Sequence, residues 1–70
     1  MQLGTRWAAG AQPPASVPEA LRPAIAEVES RGLTGDWTLT WLEGRAIAEL
    51  DAGWEVVEAP SGEVIARAFT

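Results

Sequence analysis

Carboxylates are the only side chains here with catalytic or metal-binding chemistry within reach. Asp36 and Asp51 stand at the ends of predicted strands, and Glu49 and Glu63 lie close enough in the same pattern to join them. Such groups alone bind a hard cation, or act as acid and base if two converge in a cleft with raised pKa values. The simpler reading makes them solvated turn residues, since acids favour loop positions. No Cys and no His occurs. That excludes ordinary zinc and iron–sulfur sites and the Ser-His and Cys-His nucleophiles. The glycines separate strands instead of forming a phosphate loop. A non-enzymatic protein without cofactor or metal is expected.

The other residues capable of recognition are the four tryptophans. Trp37, Trp41 and Trp54 suit a platform for stacking bases or sugars. A chain of 70 residues has few other large apolar groups, so the core has the first claim on them. Trp7 falls outside every clear element. It reads either as a clasp folded over the sheet or as an anchor into a partner, where Trp is enriched.

The elements that position these residues follow from spacing. Four runs rich in β-branched or aromatic residues, Asp36–Leu42, Arg45–Leu50, Trp54–Ala59 and Glu63–Phe69, are separated by Glu43-Gly44, Asp51-Ala52-Gly53 and Pro60-Ser61-Gly62. Short Gly-containing breaks between such runs signal hairpins. Upstream, Leu21, Ala24, Ile25 and Val28 recur at helical spacing, and Gly32 supplies a stop. Ser16 and Glu19 have capping-box spacing, and Glu27 and Arg31 form an i, i+4 pair. Pro23 argues against one continuous helix, so a first turn over Val17–Arg22 bends into a helix over Pro23–Arg31. Ala9–Ala15 has linker composition. Met1–Ala8, with Leu3 and Trp7, is an arm, either extended or paired as an irregular edge strand.

The fold expected is α+β. One helix (within 16–32) packs on a four-stranded antiparallel meander (36–70) in order 1-2-3-4, behind an arm and Pro-rich linker (1–15), all in a single small domain.

Register then assigns faces. A two-residue first loop sets Trp37 opposite Leu50 and Leu39 opposite Ala48. Three-residue loops at the other hairpins set Ala48 opposite Val56 and Val57 opposite Ile65. A one-residue slip would turn an apolar set to the wrong side. The first face, with Trp37, Leu39, Ala48 and Val56, receives the helix. The second carries the row Thr40–Ile47–Val57–Ile65, with Leu42 and Phe69 at its margins. Its polar row, Thr38–Glu49–Glu55–Arg67, sets Glu49 against Glu55, and Arg67 offsets part of that repulsion. Since a solvated face should alternate to polar residues, something must cover the apolar row.

The net charge of −5, from ten acids against five Arg, argues against nucleic acid, whose binding draws on cationic side chains. There is no apolar run long enough to span a bilayer and no charged-then-apolar leader. No membrane association and a cytoplasmic location are the expectations.

Gly4-Thr5-Arg6-Trp7, the run Pro13-Pro14-Ala15-Ser16-Val17-Pro18, and Trp37-Thr38-Leu39-Thr40-Trp41-Leu42-Glu43-Gly44-Arg45 together resemble a group of very small, uncharacterised actinobacterial proteins. Members of such groups sometimes carry an iron–sulfur oxidoreductase label, but nothing in this chain would ligate a cluster. The resemblance implies no residue-level role.

Two functions remain. One is a protein-interaction or self-associating module, working through Trp7, Thr40, Leu42, Ile47, Val57, Ile65 and Phe69 with a protein partner or as a homodimer. The other is small-ligand binding between helix and sheet near Trp41, Ala46 and Glu58, where alanines leave room for an apolar ligand.

Overall fold

Side-chain alternation decides which residues this chain hides. Trp37, Leu39, Ala46, Ala48, Leu50 and Val56 project to one side of the C-terminal strands, and all six are buried in the computed structural model, which describes residues 5–69. Leu3 of the expected arm lies outside the described residues. Strands β1 (Thr5–Ala8), β2 (Asp36–Leu42), β3 (Arg45–Leu50), β4 (Trp54–Glu58) and β5 (Val64–Ala68) form one antiparallel sheet in the order β1-β2-β3-β4-β5. A short 3-10 turn, Glu19–Leu21, leads into helix α1 (Arg22–Glu29). Together with Val17 they bring Leu21, Ile25 and Val28 onto the same buried face.

The α+β expectation stands, and the three hairpins take the anticipated registers. Trp37 pairs with Leu50 and Leu39 with Ala48. Ala48 pairs with Val56, and Val57 with Ile65. Glu43 and Gly44 both have positive φ, 53° and 78°. Two such residues make the hairpin turn whose twist matches that of the strands.

The sheet has a fifth strand beyond the four of the meander, because the arm takes its edge-strand alternative and pairs with β2. Thr5 lies opposite Leu39 and Trp7 opposite Trp37. That pairing sends Trp7 to the helix-covered side, where it is 8% exposed. Trp7 is therefore neither a clasp over the second face nor an exposed anchor. Its ring stacks on Trp37, with centroids 6.2 Å apart and planes 15° from parallel.

At the helix the expected turn-then-helix entry holds, while the capping box, the end at Arg31 and the Glu27–Arg31 pair give way. No side chain caps the 3-10 turn, whose leading residue is Pro18, so Ser16 and Glu19 do not form a box. Arg22 secures the entry instead, donating from Nη2 to the carbonyls of Pro14 (2.8 Å) and Val17 (3.3 Å). Pro23 sits in the first turn of α1, where its missing N–H has no partner to lose. At the other end α1 stops at Glu29, and Arg31 leaves Glu27 to lie 4.8 Å over the Trp54 ring. A cation over an indole face is favoured by the ring quadrupole.

Glu29 ties the layers together. Its Oε2 accepts from the Trp37 indole N–H at 2.8 Å and from the backbone N–H of Gly10 at 3.1 Å. Helix, sheet and the turn after β1 thus share one carboxylate. Trp7 offers a contrast, since its buried indole N–H has no partner among the described residues. Trp37→Phe strands part of a charged acceptor, whereas Trp7→Phe deletes an unsatisfied donor. Hydrogen bonds to charged groups contribute about 1.5–3 kcal/mol. Trp37→Phe is therefore expected to destabilise by at least about 1 kcal/mol more than Trp7→Phe. Urea unfolding of the two variants checks this, and equal losses would contradict the role given to Glu29.

Candidate interaction face

The second face is built by the residues between those of the core. Thr40, Ile47, Val57 and Ile65 form a lateral row, each beside the next in the pairing of β2 through β5. All four are only half-buried. Leu42 and Phe69, at the margins, are 55% and 49% exposed. The described helix and 3-10 turn lie on the opposite side with the core. The row thus meets no covering element among the described residues.

Charges frame it. Glu49 faces Glu55 across β3 and β4, and Glu55 faces Arg67 across β4 and β5. The Nε of Arg67 donates to Glu55 Oε2 at 2.5 Å, which relieves the Glu49–Glu55 repulsion. On the other side of the row Arg45 pairs with Glu43 at 3.5 Å. Glu49 is exposed and has no ion pair among the described residues. Between these groups lies a depression of about 200 Å³, lined by Leu42, Ile47 and Val57 with Arg45, Glu55 and Arg67.

The expected ligand pocket is arranged differently. Trp41 and Ala46 are register partners on the covered face. Trp41 is 47% exposed at the end of the sheet, while Ala46 has no exposed surface. Glu58 helps line the depression on the far side. Trp41 and Ala46 do not line that depression. The alanine leaves no room because neighbouring core side chains close over it.

Asp36 and Asp51 do approach each other, with a structural purpose. Asp51 Oδ2 accepts from the backbone N–H of Asp36 at 3.1 Å, and the Asp51 N–H donates to the Asp36 carbonyl at 3.0 Å. Arg6 Nη2 lies 3.4 Å from Asp36 Oδ2 and 3.5 Å from Asp51 Oδ2. Arg6 Nη1 also donates to Thr38 Oγ1 at 2.7 Å. A guanidinium therefore stands where a cation would have to bind. No group of three potential metal-binding side chains occurs among the described residues. Sequence reasoning missed Arg6, whose signal was its alternation with Trp7 along the arm.

No helix among the described residues is long and apolar enough to cross a membrane. Strand β1 pairs with residues 36–39 of β2, and among the described residues no strand pairs with the outer side of β5.

Compared with protein-family models, curated proteins and solved structures, the chain matches none.

The acidic pair gives a direct test. Millimolar Ca²⁺ or Mg²⁺ is expected to leave the melting temperature of the wild type unmoved. Arg6→Ala should cost no more than about 1 kcal/mol, as is usual for exposed ion pairs. A cation-dependent rise in the wild-type melting temperature would contradict the assignment of these acids to Arg6.

Proposed function

We propose that this chain is a non-enzymatic protein-interaction module that works through the open face of its sheet. The observation that carries the reading is the half-buried row Thr40–Ile47–Val57–Ile65, with Leu42 exposed beside it and no covering element among the described residues. Closing a partner over such a row gains roughly 25 cal/mol per Å² of apolar surface removed from water. The net charge of −5 favours a protein partner over a phosphate backbone. The depression of about 200 Å³ is small for a ligand site, since drug-sized ligands occupy clefts of roughly 300–1,000 Å³. Its apolar lining and flanking charges suit a side chain from another protein surface. Arg6 lies within ion-pair distance of both Asp36 and Asp51, which supports a structural use of that acidic pair.

Ile47→Asp and Val57→Asp test the reading. Both residues lie outside the core, so each variant should keep its near-ultraviolet dichroism and cooperative melting. Each should lose the association, with itself or another protein, that the wild type shows in cross-linking and affinity capture. The reading fails if the wild type neither self-associates nor retains any protein that Ile47→Asp does not.

A further inference from the structure

We infer that the partner for this face is a second copy of the chain, docked face to face about a two-fold axis along the Ile47–Val57–Ile65 row. The inference rests on the reading of the face as an interaction surface and adds the partner and its orientation.

Charge complementarity selects this partner and orientation. On β3, Arg45 and Glu49 share the open face with Ile47, one on each side and two residues away. Beside β5, Glu63 and Arg67 flank Ile65 in the same manner. Glu63 continues the pairing past the strand end, because its carbonyl accepts from the Ala59 N–H at 2.7 Å. A half-turn about the row lays each strand over its own copy with its direction reversed. Ile47, Val57 and Ile65 then meet their equivalents. Arg45 comes over Glu49 of the second copy and Glu63 over Arg67, and symmetry repeats both pairs. Arg67 holds Glu55 through Nε, which leaves its Nη groups to meet Glu63.

The alternative two-fold, parallel to the strands, brings Glu49 over Glu55 of the copy. Glu49 has no compensating ion pair among the described residues. Like charges across an interface suppress a pairing. The first arrangement is therefore favoured, and it supplies Glu49 with an opposite charge.

The contact is small. Four strands about 4.8 Å apart and roughly 20 Å long give a footprint of about 400 Å² per copy. Standard stable interfaces bury about 800 Å² per partner, so a weak, concentration-dependent dimer is expected.

Sedimentation equilibrium of the full chain, from about 10 μM to about 2 mM, covers the range of a weak complex. The wild type should dimerise within it. Arg45→Glu sets two acids against two acids, and Glu49→Arg sets two arginines against two arginines. Either variant alone should dimerise at least about tenfold more weakly than the wild type. Mixed one to one, the two variants are complementary and should form a heterodimer of near wild-type strength. The double variant Arg45→Glu/Glu49→Arg should recover self-association. Recovery on mixing cannot come from a change in folding. A wild type monomeric throughout the range, or a mixture no stronger than its components, would overturn the inference. A monomer that still retains another protein through Ile47 overturns self-pairing alone, whereas loss of both also removes the interaction reading.

Discussion

Trp37 is where arm, helix and sheet meet. It is fully buried, stacks on Trp7 of β1, lies opposite Leu50 of β3 and donates its indole N–H to Glu29 of α1. The same Glu29 oxygen holds Gly10 in the turn after β1. A buried polar group is costly unless paired, so this indole fixes where the end of the helix can lie. The helix cannot move to the other face without stranding the Trp37 donor and uncovering two indole rings. Arg31 over Trp54 reinforces that position from the next residues along.

The position of the helix determines the state of the opposite face. Side chains of a strand alternate between faces, so strands whose core residues are Trp37, Leu39, Ala48, Leu50 and Val56 present Thr38, Thr40, Ile47, Glu49 and Val57 on the other side. A face serving only water could have been polar throughout. Here one row is apolar, and charged residues stand on both sides of it. The acids and arginines limit indiscriminate sticking, while Arg67 stands on β5, the last strand in the sheet order, a placement that discourages strand addition. Specificity by charge and adhesion by apolar surface thus occupy neighbouring rows of one small sheet.

Most of the sheet was legible because each hairpin carries its own ruler. Glu43-Gly44 and the three-residue loops set the phase of strands whose apolar residues fit a single register. The arm was less legible. Strand β1 has four residues, pairs through backbone groups and offers only Arg6-Trp7 as an alternation signal. The arm's sequence leaves Trp7 open between a clasp and an anchor, and its burial follows only from its pairing with Trp37. The cap at the helix entry misled for another reason: Pro18 and Pro23 impose a 3-10 turn before α1, which leaves Ser16 and Glu19 without the box that their spacing suggests. At the expected ligand pocket, alanine beside Trp suggests room, but Ala46 has no exposed surface. The row Thr40–Ile47–Val57–Ile65 was readable throughout, since it depends on register alone.

The central claim is that this row faces solvent in the isolated chain while its neighbours in sequence do not. The most direct measurement is methyl NMR of dilute protein with a soluble paramagnetic agent, which broadens signals according to their access to solvent. The account predicts strong broadening for the methyls of Ile47, Val57 and Ile65, with Ile25, Val28, Leu39 and Val56 protected. Protection of the first group and broadening of Leu39 and Val56 would place the helix on the other side of the sheet and contradict it.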